Sequence, residues 1–161
     1  MNLTKALCVV SLALGTLAPS GFVRAQDALV GSWVLDPTKN QGSPGMVPTA
    51  GTATVTAAGG GEYTSVSEVS VGAATGHSEI TYSVDGKDYA VTITPTQPDA
   101  AITQSMERVS DTVWKSNLKL NGQLMATVMT EVSSDGNTLT QTTAAVGQFA
   151  ALSSTVVFNR K

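Results

Sequence analysis

Polar and apolar residues alternate in short runs from residue 30 onward, and Thr, Val, Ser and Ala dominate these runs. A period of two is typical of a strand with one buried face, whereas residues 27–161 show no apolar spacing typical of a helix. The pattern predicts antiparallel strands at residues 30–36, 52–57, 62–71, 78–84, 88–93, 101–107, 112–120, 123–132, 138–144 and 151–159. Residues 36–48 contain three prolines and two glycines, and we interpret them as a surface loop.

Two dipeptides are preferred centres for tight two-residue turns, because both of their positions tolerate positive φ. The first is Asp85-Gly86, and a turn there pairs Tyr82 with Tyr89. One face of this hairpin is then aromatic and aliphatic, and the other is polar. A hairpin with these two faces is typical of a sheet that is buried on one side.

The second turn centre is Asn121-Gly122. It pairs Leu118 with Met125 and Trp114 with Met129, so large apolar groups again share one face. Turn chemistry and alternation agree in both hairpins.

Around Asp135 and Gly136 the two signals disagree. A two-residue turn places Leu139 on the face away from Met129, whereas a one-residue bulge at Gly136 returns Leu139 to that face. The sequence leaves both registers open.

About ten strands in sequential hairpins need either closure into one barrel or two packed sheets, since an open sheet leaves unprotected edges. We predict an all-β fold, an antiparallel up-and-down β-barrel, with a β-sandwich as the alternative. Residues 26–161 would form this single domain.

The N-terminus carries the features of an export signal. Lys5 precedes an apolar run at residues 6–18, and Val23-Arg24-Ala25 offers small apolar residues to a signal peptidase. We therefore predict a signal peptide at residues 1–25 and a periplasmic or secreted mature chain. Cys8, the one cysteine, would be lost with it.

The mature chain would be acidic, with seven basic residues against twelve acidic ones. Clustered Lys and Arg are absent, so we expect no nucleic-acid partner. The chain lacks aromatic girdles and ends in Arg160 and Lys161, so we do not expect a membrane-spanning barrel. The oligomeric state is open.

Gly31-Ser32-Trp33 opens the first strand, and residues 156–160 end the last one with Arg160. This layout resembles the lipocalin and wider calycin barrels, and the stretch 31–48 is similar to small secreted bacterial lipocalin-like proteins. The resemblance implies that Trp33 packs across the closed end of the barrel beneath Arg160.

Candidate catalytic chemistry is sparse. His77 is the one histidine, and the first hairpin places it opposite Thr94 on the polar face. Ser78 lacks the flanking glycines of a nucleophile elbow. One histidine with scattered carboxylates does not make a zinc site. Glu131 shares the parity of Met129, so we expect its carboxylate at the barrel mouth or in a salt bridge. We expect no metal and no cofactor, and an enzyme ranks third, behind a binding protein and an interaction protein.

The remaining signal is a set of aromatic, methionine and leucine side chains predicted to share the inner face. Its members are Tyr82, Tyr89, Trp114, Leu118, Met125 and Met129. They could fill a solid core, or they could line a cavity for a small apolar ligand. We therefore carry two hypotheses, a non-catalytic binder of a small hydrophobic molecule and an envelope structural or interaction protein with a filled barrel.

Overall fold

The computed structural model describes residues 27–95 and 100–161, so the predicted signal peptide lies outside the described residues. The strands are β1 (Gly31–Leu35), β2 (Gln41–Gly42), β3 (Ala50–Gly59), β4 (Glu62–Val71), β5 (Ala74–Ser83), β6 (Tyr89–Ala90), β7 (Thr92–Thr94), β8 (Ile102–Arg108), β9 (Val113–Leu120), β10 (Gln123–Val132), β11 (Thr138–Ala145) and β12 (Ser154–Arg160). Two 3₁₀ helices, Pro37–Lys39 and Gly147–Leu152, complete the elements of the described ranges.

The strands form one antiparallel sheet in the order β6-β8-β9-β10-β11-β12-β1-β3-β4-β5-β7, with β2 beside β12. Strands adjacent in the chain are mostly adjacent in the sheet, and β12 returns to β1. The predicted antiparallel up-and-down β-barrel is therefore confirmed. The predicted loop 36–48 is not wholly irregular, since it contains a 3₁₀ turn and β2.

The barrel nearly closes through residues 89–94, which change partners midway. Tyr89 pairs with Gln104 of β8, whereas Thr92–Thr94 pairs with β5. The predicted pairing of Tyr82 with Tyr89 is therefore wrong. After the turn, the Gly86 N–H donates to the Met106 carbonyl 3.0 Å away, which directs the chain toward β8.

The second hairpin turns at Asn121 and Gly122 as predicted, but its register changes within a few residues. Met125 is an extra residue in β10, a β-bulge between Leu124 and Ala126. Beyond it, Trp114 faces Thr130 instead of Met129.

This bulge overturns the predicted pairs Leu118–Met125 and Trp114–Met129. Because each residue of a strand alternates its face, a shift of one residue turns Met129 outward, and its side chain is 37% exposed. Glu131 has the same parity and is also exposed.

The hairpin around Gly136 takes the register of a two-residue turn, with Val132 opposite Leu139. Leu139 is buried and lies on the face away from Met129.

The core is concentrated near the end of the barrel where β1 begins and β12 ends, which we call the closed end. Its members are Leu29, Trp33, Leu35, Val55, Ile80, Tyr82, Met106, Trp114, Val132, Leu139, Val156 and Phe158. Trp33 and Trp114 are the largest, and they are 1% and 0% exposed. Among residues 27–95 and 100–161, no helix combines the length and hydropathy that a bilayer crossing needs.

Candidate functional site: the barrel cavity

The barrel is filled at the closed end and hollow above it. A cavity of about 380 Å³ lies inside the sheet. Its lining comprises Leu29, Trp33, Ala53, Val55, Ser65, Ser67, Val69, Ser78, Ile80, Tyr82, Val91, Ile93, Ile102, Gln104, Met106, Ser116, Leu118, Met125, Val128, Thr130, Leu139, Gln141, Thr143 and Phe158. The lining is mostly apolar because these residues have the inward parity of their strands.

The cavity floor is formed where residues 27–30 cross the closed end before β1 begins. Leu29 is 4% exposed, and its carbonyl accepts a hydrogen bond of 3.1 Å from Trp33 Nε1. Both side chains line the cavity. The short crossing segment therefore acts as a plug, and Trp33 lies across it.

Arg160 fixes this plug from outside the cavity. Its guanidinium carbon lies 4.2 Å from the centroid of the Trp33 ring, the contact that the lipocalin resemblance implies. Its Nη atoms donate to the carbonyls of Ala28 and Val30 at 2.8 and 2.9 Å, and Nε donates to Gly136 at 2.6 Å. A stacked guanidinium with three carbonyl partners leaves the plug little freedom.

A second arginine and tryptophan meet at the same end. Arg108 lies 5.4 Å from the centroid of the Trp114 ring and forms a salt bridge with Asp27. Asp27 also accepts a 2.6 Å hydrogen bond from the Tyr63 hydroxyl. This bond to the carboxylate, together with burial, raises the pKa of Tyr63. Tyr63 in turn stacks on Tyr82, with ring centroids 5.7 Å apart.

Two hydrogen-bonded pairs of side chains lie on different walls of the cavity. Ser67 of β4 and Ser78 of β5 share a hydrogen bond of 2.8 Å. Across the barrel, Gln141 of β11 donates to Thr130 of β10 at 3.5 Å. In the strand order, these two pairs of strands are separated by β12, β1 and β3 on one side and by β6–β7, β8 and β9 on the other. The polar pairs therefore face each other across the interior.

The six side chains predicted to share the inner face fall into three groups. Tyr82, Leu118 and Met125 line the cavity, whereas Trp114 and Tyr89 do not. Trp114 belongs to the buried closed-end core, and Tyr89 is half-buried against that core. The inward placement of Met129 is wrong, because the bulge at Met125 turns it outward.

The structure adds lining residues that the sequence interpretation missed, above all Ser67, Gln104 and Gln141. Each of them has the same parity as apolar residues on its own strand, and this alternation indicates an inward side chain.

The histidine and the carboxylates considered as catalytic groups lie outside the cavity, whereas Ser78 lines it. His77 pairs with Thr94 as predicted, and its parity is opposite to that of the lining residue Ser78. Glu62, Glu68, Glu79, Glu107 and Glu131 are exposed. Within residues 27–95 and 100–161, no group of three His, Cys, Asp or Glu side chains could hold a metal ion.

Comparisons with known proteins identify the fold alone. Neither the family models nor the curated proteins gave a match to this sequence. Among solved structures, the barrel is similar to fatty-acid-binding protein 1 of Echinococcus granulosus, with a TM-score of 0.58 and 17% sequence identity. The match covers 83% of this chain and 97% of that chain. The chain thus shares the antiparallel up-and-down β-barrel fold with this structure.

Proposed function

We propose that this chain is an exported, non-catalytic protein that binds a small hydrophobic molecule inside its barrel. The cavity of about 380 Å³ carries the proposal. Small-molecule sites are typically concave, mostly apolar spaces of roughly 300–1,000 Å³ with a few polar groups that orient the ligand. The structural neighbour, fatty-acid-binding protein 1 of Echinococcus granulosus, has the same barrel fold.

The composition of the cavity lining supports a binding role without catalysis. Tyr82 is the one ionisable side chain among the described lining residues, and burial raises its pKa. General acid and base catalysis needs groups whose pKa values lie near the working pH. The hydroxyl and amide groups of this cavity can orient a ligand, but they are weak acids and bases.

Titration with an uncharged apolar fluorophore, N-phenylnaphthylamine, tests the proposal on two neighbouring variants. Val128 lines the cavity, and Met129 lies on the outer face of the same strand. Val128→Trp places an indole in the ligand space and should weaken fluorophore binding at least tenfold. Met129→Trp introduces the same side chain outside the barrel and should leave the affinity unchanged.

Equal affinities in the two variants would place the fluorophore outside the cavity and contradict the proposal. Circular dichroism and urea unfolding establish that each variant is folded. Leu118→Trp is a second blocking variant should Val128→Trp fail to fold. No uptake by the wild-type protein would instead favour an interaction protein whose outer surface carries the function.

Export is proposed from the N-terminal sequence pattern. Expression of the full chain in a Gram-negative host should yield a periplasmic protein whose N-terminal sequence begins at Gln26. Recovery of an unprocessed chain from the cytoplasm would contradict this part of the proposal. Replacing Ala25 with an arginine should block processing, because the peptidase requires a small residue there.

A further inference from the structure

Among the described residues, no charged side chain lines the cavity. The side chains that line it are aliphatic, aromatic, thioether, hydroxyl or amide groups, and none of those described is Lys, Arg, His, Asp or Glu. An ionised group moved into such surroundings without a partner loses its hydration and is strongly disfavoured. The interior therefore selects against a ligand that carries a buried charge.

The two arginines that stack on Trp33 and Trp114 are held in place by other contacts and cannot pair with a charged ligand in the cavity. Arg160 lies outside the lining, where it stacks on Trp33 and donates to three backbone carbonyls. Arg108 is paired with Asp27 at the same end. Moving either guanidinium into the cavity would break these contacts and open the plug.

The Ser67–Ser78 and Thr130–Gln141 pairs nevertheless have donors and acceptors left for a ligand. In the Ser67–Ser78 pair one hydroxyl donates to the other, which leaves one O–H and several lone pairs for a further hydrogen bond. Gln141 uses one N–H on Thr130, which leaves its second N–H and its carbonyl oxygen. Hydroxyl and amide groups both donate and accept, so they match alcohol, ester, ketone or amide groups.

We propose that the cavity binds uncharged amphiphiles, molecules with an apolar body and an alcohol, ester, ketone or amide group, and that it discriminates against carboxylates of the same chain length. This inference rests on the proposed binding function and specifies its ligand class. The Ser67–Ser78 wall is the part of the site that we expect to contact the polar group of a fatty alcohol.

Competition against bound N-phenylnaphthylamine at neutral pH tests the ligand class. Decanol and methyl decanoate should displace the fluorophore at concentrations at least tenfold lower than decanoate. Decanoate that competes as well as decanol would overturn the inference while leaving the binding function standing. Failure of the fluorophore and of all three compounds to bind would overturn both.

The serine wall has a matched control on the same two strands. Ser67 and Ser78 form a bonded pair inside the barrel, and Ser70 and Thr75 form an equivalent pair of 2.8 Å that is not part of the lining. Ser67→Ala should weaken decanol binding by about threefold to tenfold, the effect of one hydrogen bond, and leave the fluorophore affinity unchanged. Ser70→Ala should change neither.

If Ser67→Ala and Ser70→Ala bind decanol equally well, the assignment of the serine wall is wrong. If Ser67→Ala weakens fluorophore and decanol to the same extent, the variant has altered the cavity instead of a polar contact, which also overturns the assignment. Ser78→Ala is the second variant and should reproduce the selective loss.

Discussion

At the scale of single residues, the closed end depends on a glycine that makes room for an arginine. Gly31 has φ +152°, and a Cβ atom built there would lie 2.2 Å from Arg160 Nη1. The guanidinium cannot withdraw without losing its bonds to Ala28 and Val30. The glycine of the Gly-x-Trp opening is therefore explained by the passage of Arg160 over Trp33.

Gly31→Ala should consequently lower the free energy of unfolding by about 1–3 kcal/mol, through overpacking and a strained backbone. Gly76→Ala is the control, because Gly76 lies in β5 with open space around its Cβ position. That variant should stay within about 0.5 kcal/mol of wild type in urea unfolding. Equal destabilisation of the two variants would show that the Arg160 contact is not what requires a glycine.

At the scale of secondary-structure elements, the bulge at Met125 decides which face of β10 is inside. Val128→Asp should cost about 2 kcal/mol or more, since it buries a carboxylate against apolar neighbours. Met129→Asp places the same group in solvent and should cost less than about 1 kcal/mol. Urea unfolding of the two variants measures the difference, and the reverse order would show that β10 lacks the bulge.

The register of β10 beyond the bulge is a feature that the sequence pattern does not determine. Alternation located nearly every strand, because most strands have one polar and one apolar parity. Between Leu124 and Met129 both parities carry apolar residues, so the alternation is equally consistent with either register. Contact with Trp114 and Ser116 across the ladder selects one register, and such contacts between strands are tertiary information.

The stability of the turn at Pro37–Lys39 should depend on pH. Asp36 caps it, and hydrogen bonds from the Thr38 hydroxyl and from Lys39 lower the pKa of Asp36 from 3.8 to about 2. A pKa that is lower in the folded state adds stability above pH 3.8, and this contribution is lost as the pH falls toward 2.

Asp36→Asn should therefore flatten the dependence of the urea midpoint on pH between about 4 and 2, since the amide does not titrate. Thr38→Ala removes the hydroxyl hydrogen bond that lowers the pKa of Asp36 most, so this pKa should rise. NMR titration of the Asp36 carboxyl carbon can follow the change. A wild-type pH dependence in Asp36→Asn would contradict the assignment of this stability to Asp36.

At the scale of the whole molecule, the barrel combines a solid end with a hollow remainder. The sequence posed these as alternatives, a filled core or a pocket, and the structure contains both. Alternation places Trp114 with the possible cavity residues, because it predicts a large inward side chain, yet Trp114 lies in the closed-end core. Depth along the barrel separates the two regions, and alternation reports only which side of the sheet a residue faces.

The central claim is that a ligand occupies the hollow part, and the methionines report on it directly. Met106 and Met125 line the cavity, whereas Met46 and Met129 are exposed on the outside. Methyl spectra of ¹³C-methionine protein, recorded as decanol is added to saturation, should show shifts and intermolecular contacts confined to Met106 and Met125. Changes confined to Met46 or Met129, or no change in any of the four, would contradict a ligand inside the barrel.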